Sequence, residues 1–354
     1  MRGLYIHIPF CKSKCPYCDF NSYANMFDLA EDYTNAVIRE MSEYPECRIG
    51  TVYFGGGTPS SVNPEYIAKI LAAAKQHFDI LPDAEITMEA NPGTIENTAD
   101  YKAAGINRIS LGVQSFNDKL LKTLGRIHSG DDAKNAVMMF KNAGFDNISI
   151  DLMYSLPGQT PEMWKRDIET ALSLPITHIS CYGLKVEKGT PFAKSGVTPQ
   201  DEEADRALYH MLIDILKENG FKQYEISNFA LTGFESRHNL VYWKCGEYIG
   251  LGAGAHSYFD GARYNNIYNV ANYIKGGKIR ENICHLSDAD KAEEKIILQM
   301  RLTEGVNRDI LNINAGNEKI DEYIRLGYMH QVGDNVAFTP DGMDVSNYIL
   351  SDLI

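Results

Sequence analysis

Short apolar, β-rich runs recur along the first half of the chain. Each is followed by a turn and then by a stretch with helical periodicity. Leu4–Ile8, Thr51–Phe54, Glu85–Glu89, Arg108–Val113, Asn147–Leu152 and Thr177–Tyr182 are brief, rich in β-formers and bounded by turn residues, which predicts strands. Between them, Tyr33, Val37, Met41 and Tyr44 share one helical face, as do Ile67, Ile70, Leu71, Ala74 and Phe78. One join nearly repeats. Ala104-Gly105-Ile106-Asn107-Arg108-Ile109-Ser110 matches Ala143-Gly144-Phe145-Asp146-Asn147-Ile148-Ser149, each with a glycine placed to end a helix in the left-handed conformation. Six strand–helix units predict an α/β fold with a parallel sheet, curled into an incomplete (βα)6 TIM-like barrel. Functional groups in such folds gather at the C-terminal ends of the strands.

Beyond the sixth unit the pattern changes. A helix is predicted from about Asp201 to Gly220, with Leu208, Met211, Leu212, Ile215 and Leu216 on its buried face. Residues 221–285 are rich in Gly, Tyr and Asn and read as short strands and loops. Residues 286–354 read as a small helical module with a hairpin turning at Gly333-Asp334-Asn335, a winged-helix-like shape. The expected division is therefore a barrel over 1–220, a connecting region over 221–285 and a C-terminal module over 286–354.

Composition narrows the function. The chain has 354 residues, 44% of them apolar, and a net charge of −13, which argues against a general nucleic-acid binder. No apolar run is long enough to span a membrane, and the N-terminus lacks the pattern of a secretory signal. A reducing cytoplasm is the expected compartment.

Seven cysteines are present, and three of them carry the chemistry. Cys11, Cys15 and Cys18 stand in a C-x3-C-x2-C run on one loop, just after the first predicted strand. A structural zinc wants four closed ligands, and disulfides suit short secreted chains. Three thiolates instead hold three irons of a 4Fe–4S cubane and leave the fourth open. The spacing resembles the radical S-adenosylmethionine (SAM) superfamily, in which SAM occupies the open iron and is cleaved to a 5′-deoxyadenosyl radical. The glycine run Gly55-Gly56-Gly57-Thr58-Pro59 after the second strand is expected to offer backbone N–H donors to a ligand. Glu89 ends the third strand, Gln114, Arg126 and Asp151 follow or end later ones, and Arg126 suits a carboxylate.

Further segments sharpen the resemblance. Tyr5-Ile6-His7-Ile8-Pro9-Phe10-Cys11, the glycine run, Gly112-Val113-Gln114-Ser115-Phe116 and Asp151-Leu152-Met153-Tyr154-Ser155-Leu156-Pro157-Gly158 together resemble the oxygen-independent coproporphyrinogen III oxidase family. The resemblance implies that Tyr5, Tyr17, Gly56, Gly57, Thr58, Glu89, Gln114, Arg126 and Asp151 line the SAM region. It also implies an electron donor for the cluster. Two departures set the chain apart. Phe20 stands where the oxidases usually carry a fourth cysteine, and the first strand begins almost at Met1, where they have an extension.

The run His238-Asn239-Leu240-Val241-Tyr242-Trp243 is similar to the HNxxYW signature of the HemW branch, described as haem chaperones that pass haem to acceptors such as respiratory enzymes. The resemblance implies a haem site at His238, Asn239, Tyr242 and Trp243. Imidazole is a competent axial ligand and the aromatics can form a flat wall. The competing reading is a buried, hydrogen-bonded histidine with both aromatics in the core. His256 is a second candidate or a structural residue of its glycine loop, and Cys245 is a candidate for haem contact against the favoured reading of a buried free thiol. Two functions stay open on sequence: haem binding and transfer, or radical decarboxylation of coproporphyrinogen III propionates to vinyls.

Overall fold

The computed structural model describes residues 1–354. Its centre is one twelve-stranded sheet. The strands, in chain order, are β1 Arg2–Ile8, β2 Arg48–Gly56, β3 Asp79–Ala90, β4 Arg108–Gln114, β5 Asn147–Tyr154, β6 His178–Gly183, β7 Lys222–Glu225, β8 Asn228–Ala230, β9 Tyr248–Leu251, β10 His256–Phe259, β11 Ala262–Asn266 and β12 Arg280–His285. Their order across the sheet is β12-β11-β10-β9-β1-β2-β3-β4-β5-β6-β8-β7. The six predicted strands are all present and run parallel from β1 to β6, with helices between them. A seventh parallel strand, β9, joins beside β1, and antiparallel strands extend both edges. Residues 221–285, expected as a connecting region, thus complete the same sheet, and Phe221, Phe229, Ile249, Leu251 and Tyr264 join its core.

The alternation in each strand explains the layers. Leu4, Ile6 and Ile8, Val52 and Phe54, Ile109 and Leu111, and Ile148, Ile150 and Leu152 are buried in the main apolar core with the surrounding helices. The intervening positions are polar. Thr51, Glu85, Thr87, Arg108, Ser110, Ser149 and His178 are all buried, so the inner side of the curved sheet is lined by hydrogen-bonding groups.

The helices begin and end where the sequence places them. Glu202–Glu218 is capped by Asp201 and buries Leu208, Leu212 and Leu216. Gly105, at φ +106°, closes Thr98–Ala104 in the left-handed region. The C-terminal module has its own core around Ile296, Met300, Leu311, Ile320, Val336 and Phe338. Its hairpin pairs Met329–Val332 with Asn335–Phe338 around Gly333 and Asp334. The module is tied to the barrel by the Ile226 N–H, which donates to the Arg301 carbonyl at 3.2 Å, and by Arg301 facing the fully buried Glu225 carboxylate at 3.7 Å. No helix is long and apolar enough to cross a membrane.

Candidate functional site

β1 delivers the cysteine loop to the C-terminal mouth of the barrel. Cys11 is buried, Cys15 and Cys18 are half-buried, and all three are free thiols. The loop is held by its backbone. The Tyr23 N–H donates to the Pro9 carbonyl at 2.7 Å, Gly57 N–H to Ile8 at 2.8 Å and Thr58 N–H to Phe10 at 2.8 Å. Lys14 Nζ donates to the Phe20 and Ser22 carbonyls at 2.9 and 3.1 Å. The three sulfurs do not all lie within 4.8 Å of one another. Tetrahedral zinc, with Zn–S of about 2.3 Å, needs sulfurs about 3.8 Å apart. Three thiols on one loop with no fourth are the donor set of a cubane that keeps one iron open, so the residues fit the cluster.

Here one expectation is corrected. The glycine run does not present open N–H donors, because those of Gly57 and Thr58 clamp the cysteine loop and that of Gly56 donates to Glu89 Oε2 at 3.2 Å. A Cβ at Gly57 would sit 2.8 Å from both the Ile8 and Phe10 carbonyl oxygens. Gly57→Ala is therefore expected to lower stability by about 1–3 kcal/mol and to reduce iron uptake. Urea unfolding and iron assay check this; wild-type values in both would show that the clamp is dispensable.

Around the loop, side chains from later strands converge. Arg126 Nη1 lies 3.4 Å from Cys15 Sγ, and its Nη2 donates to the Gly112 carbonyl at 2.5 Å. Its Nε is buried without a partner. Tyr17 stands beside Arg126 and Cys15, and burial pushes its phenol well up. Gln114 adopts φ +69°, a strained conformation for a side-chain-bearing residue. That turn brings its amide over Gly112, where an added Cβ would meet Gln114 Nε2 at 3.1 Å and Arg126 Nη2 at 3.3 Å. Glu89 accepts from the Tyr53 hydroxyl at 2.8 Å, and burial, with Asp151 nearby, raises its carboxyl to about 7. Asp151 accepts from Ser110 Oγ at 3.1 Å and is raised by burial to about 6. Tyr5 stacks on Tyr53 with ring centres 6.2 Å apart. One buried cation, an amide and two carboxylates thus stand near the cysteine loop, groups that would suit a zwitterion carrying sugar hydroxyls.

The HNxxYW run forms the helix Arg237–Trp243 and enters the barrel from the opposite side. Glu85, on β3, caps it: its carboxylate accepts the Arg237 and His238 N–H groups, both at 3.0 Å. Ser236 Oγ accepts the Asn239 N–H at 3.4 Å. His238 is buried inside the barrel. Its Nδ1 bonds Thr51 Oγ1 at 2.8 Å, its Nε2 bonds the Tyr242 hydroxyl at 2.7 Å, and its ring stacks on Tyr53 at 5.0 Å. Burial lowers its pKa to about 3, with Arg108 adding to the effect. The imidazole is neutral and neither nitrogen is free, so in this arrangement it has no lone pair to offer iron.

Tyr242 and Trp243 instead reach a cavity of about 730 Å³ walled also by Tyr5, Phe20, Tyr248 and Tyr268, which His238 and Asn239 do not line. Its lining includes Asp19, Phe20 and Asn21, which directly follow Cys18 in the chain. Glu89, Tyr53, His238 and Tyr242 thus form a continuous chain of contacts from the mouth to the cavity. Sequence reasoning missed Tyr53, Thr51, Glu85 and Arg108. Their signal was the polar alternate positions of otherwise apolar strands, which mark the inner side.

A curved parallel sheet with a C-x3-C-x2-C loop at its mouth defines a radical SAM protein, and residues 5–171 match the family model of the radical SAM superfamily. The chain is similar over its whole length to relatives named heme chaperone HemW. One from Lactococcus lactis is 36% identical, covering 100% of this chain and 97% of that protein. Another from Bacillus subtilis is 39% identical, covering 87% and 85%. The fold is that of the solved coproporphyrinogen III oxidase HemN from Escherichia coli, at a TM-score of 0.85 and 21% identity over 99% of this chain and 89% of that one. The chain belongs to the HemW family of radical SAM proteins. Membership implies a 4Fe–4S cluster and SAM.

Proposed function

We propose that this protein binds haem and passes it to acceptor proteins, respiratory haem proteins among them, while carrying a SAM-bound 4Fe–4S cluster in a reducing cytoplasm. The observation that carries this reading is the aromatic cavity, where Tyr242 and Trp243 of the HNxxYW helix face the segment following Cys18. In this reading Cys11, Cys15 and Cys18 hold the cluster, and an electron donor reduces it. Arg126 and Gln114 receive SAM's carboxylate; Glu89 and Asp151 receive its ammonium and ribose hydroxyls, with Tyr5, Tyr17, Gly56, Gly57 and Thr58 shaping the seat. The cluster supplies one electron to SAM when both are bound. His238 and Asn239 act from behind the cavity. His238 fixes the Tyr242 hydroxyl at 2.7 Å and is a positioning residue for the haem wall. The oxidase alternative shares only the fold.

An anaerobic haem titration of cluster-reconstituted protein, followed in the Soret region, should show saturable one-to-one binding. Mixing the loaded protein with an apo b-type haem protein should then move the Soret band to that of the acceptor. Weak, unsaturable binding, or haem that never leaves, contradicts the reading.

A further inference from the structure

Three histidines stand at or behind the cavity, and they differ in what their nitrogens do. His7 is buried, with Nδ1 3.0 Å from the Tyr5 hydroxyl and Nε2 2.8 Å from the Asn21 carbonyl. His238 is likewise committed at both nitrogens. His256 is not. It opens β10, is exposed and lines the cavity; its Nε2 meets only the Tyr268 hydroxyl, at a long 3.5 Å, and its Nδ1 has no partner. A hydrogen bond of that length is weak, so this imidazole is available to a ligand.

The backbone around His256 is built to hold it there. Gly250 lies against the His256 carbonyl so closely that an added Cβ would fall 2.0 Å from its oxygen. Gly254, at φ +77°, turns the chain so that Asn21 Nδ2 donates to the Ala253 carbonyl at 2.9 Å and to the Tyr268 carbonyl at 3.0 Å. Asn21 follows Cys18 by three residues, so the cluster loop and the His256 turn are fastened to one another. The C-terminal module adds Ile297 and Leu298 to the cavity lining. Arg263, the cation on this lining, is held by Glu294 through two bonds of 2.6 Å, which neutralises it. A cavity of about 730 Å³ to which Tyr5, Phe20, Tyr242, Trp243, Tyr248 and Tyr268 contribute, with one uncommitted imidazole, has the form of a pocket for a large flat metal-bearing ring; such sites span roughly 300–1,000 Å³.

We infer that His256 is the axial ligand to the iron of a haem seated in this cavity, with Tyr242 and Trp243 as wall and His238 behind them. The inference rests on the haem-binding reading above and assigns the iron contact within it to a residue outside the HNxxYW run.

The test is a ferric haem titration of the full-length, cluster-reconstituted protein, wild type against His256→Ala. It is read by Soret position, by the iron–histidine stretch in resonance Raman of the reduced, ferrous form, and by circular dichroism for fold. Wild type, with histidine as the one protein ligand, should show a five-coordinate, histidine-ligated ferrous spectrum. His256→Ala should keep the fold, bind at least tenfold more weakly and lose the iron–histidine signal, and added free imidazole should restore it. A variant with wild-type spectrum and affinity overturns the assignment while leaving haem binding intact. Weakened binding that imidazole does not restore also overturns it, since His256 would then be wall and not ligand. Absence of haem binding by wild type removes the haem reading itself.

Discussion

The triple substitution Cys11→Ser, Cys15→Ser, Cys18→Ser is expected to abolish iron and sulfide incorporation on anaerobic reconstitution while leaving the fold in place. The loop around these residues is shaped by bonds that no sulfur makes. Gly57 and Thr58 clamp Ile8 and Phe10, Tyr23 holds Pro9, and Lys14 spans the Phe20 and Ser22 carbonyls. The core strands beneath are packed by Leu4, Ile6, Ile8, Val52 and Phe54. Exchange of three thiols for hydroxyls at a barrel mouth is a local change, within about 1 kcal/mol of wild type on urea unfolding. Iron assay and the visible absorption of the cluster read the first half, and urea unfolding the second. An unfolded triple variant would mean that the cluster itself organises the mouth, as structural metals do in smaller domains. Iron retained at wild-type stoichiometry would place the cluster elsewhere.

Glu85→Ala should have the largest effect on stability of any single change near the HNxxYW helix. The carboxylate is buried and accepts two N–H groups at the start of the Arg237–Trp243 helix. Those groups have no intrahelical acceptor, and alanine leaves both unsatisfied where water does not reach. The expected loss is about 2–4 kcal/mol, combining the unsatisfied donors with the vacated volume. Because that helix carries His238, Tyr242 and Trp243, haem affinity should fall together with stability. Urea midpoints and the Soret titration measure the two, and Glu85→Gln, which keeps one acceptor oxygen, should recover part of each. A wild-type midpoint for Glu85→Ala would show that the helix is held by packing alone.

Much of this architecture was legible in local sequence. The six strands announced themselves because alternation with period two survives wherever a strand has one apolar face and one lined face. Glycines at 105 and 144 marked helix ends because only glycine takes the left-handed cap without steric penalty, and both sit at positive φ. The cysteine spacing was equally readable, since three ligands on one loop are brought together by chain connectivity. The glycine run was located correctly but given the wrong task. Its N–H groups are taken up by Ile8, Phe10 and Glu89, and nothing in a glycine's own identity tells which acceptor it meets.

The HNxxYW run shows the same limit more sharply. Sequence placed an imidazole beside two aromatics at His238, and the helix does so, with the Tyr242 hydroxyl against the ring at i, i+4 spacing. Whether that imidazole is open to iron depends on Thr51 and Tyr53, from a strand almost two hundred residues earlier. The cap from Glu85, the addition of β9 beside β1 and the fastening of Asn21 to the His256 turn are of the same kind. Strand periods, helix ends and the gathering of three cysteines on one loop were determined by the sequence alone, because each depends on neighbours within a few positions. Which histidine has a free nitrogen, and that a cavity lies beside it, was decided only by the tertiary structure, because both depend on the register of segments far apart in the chain.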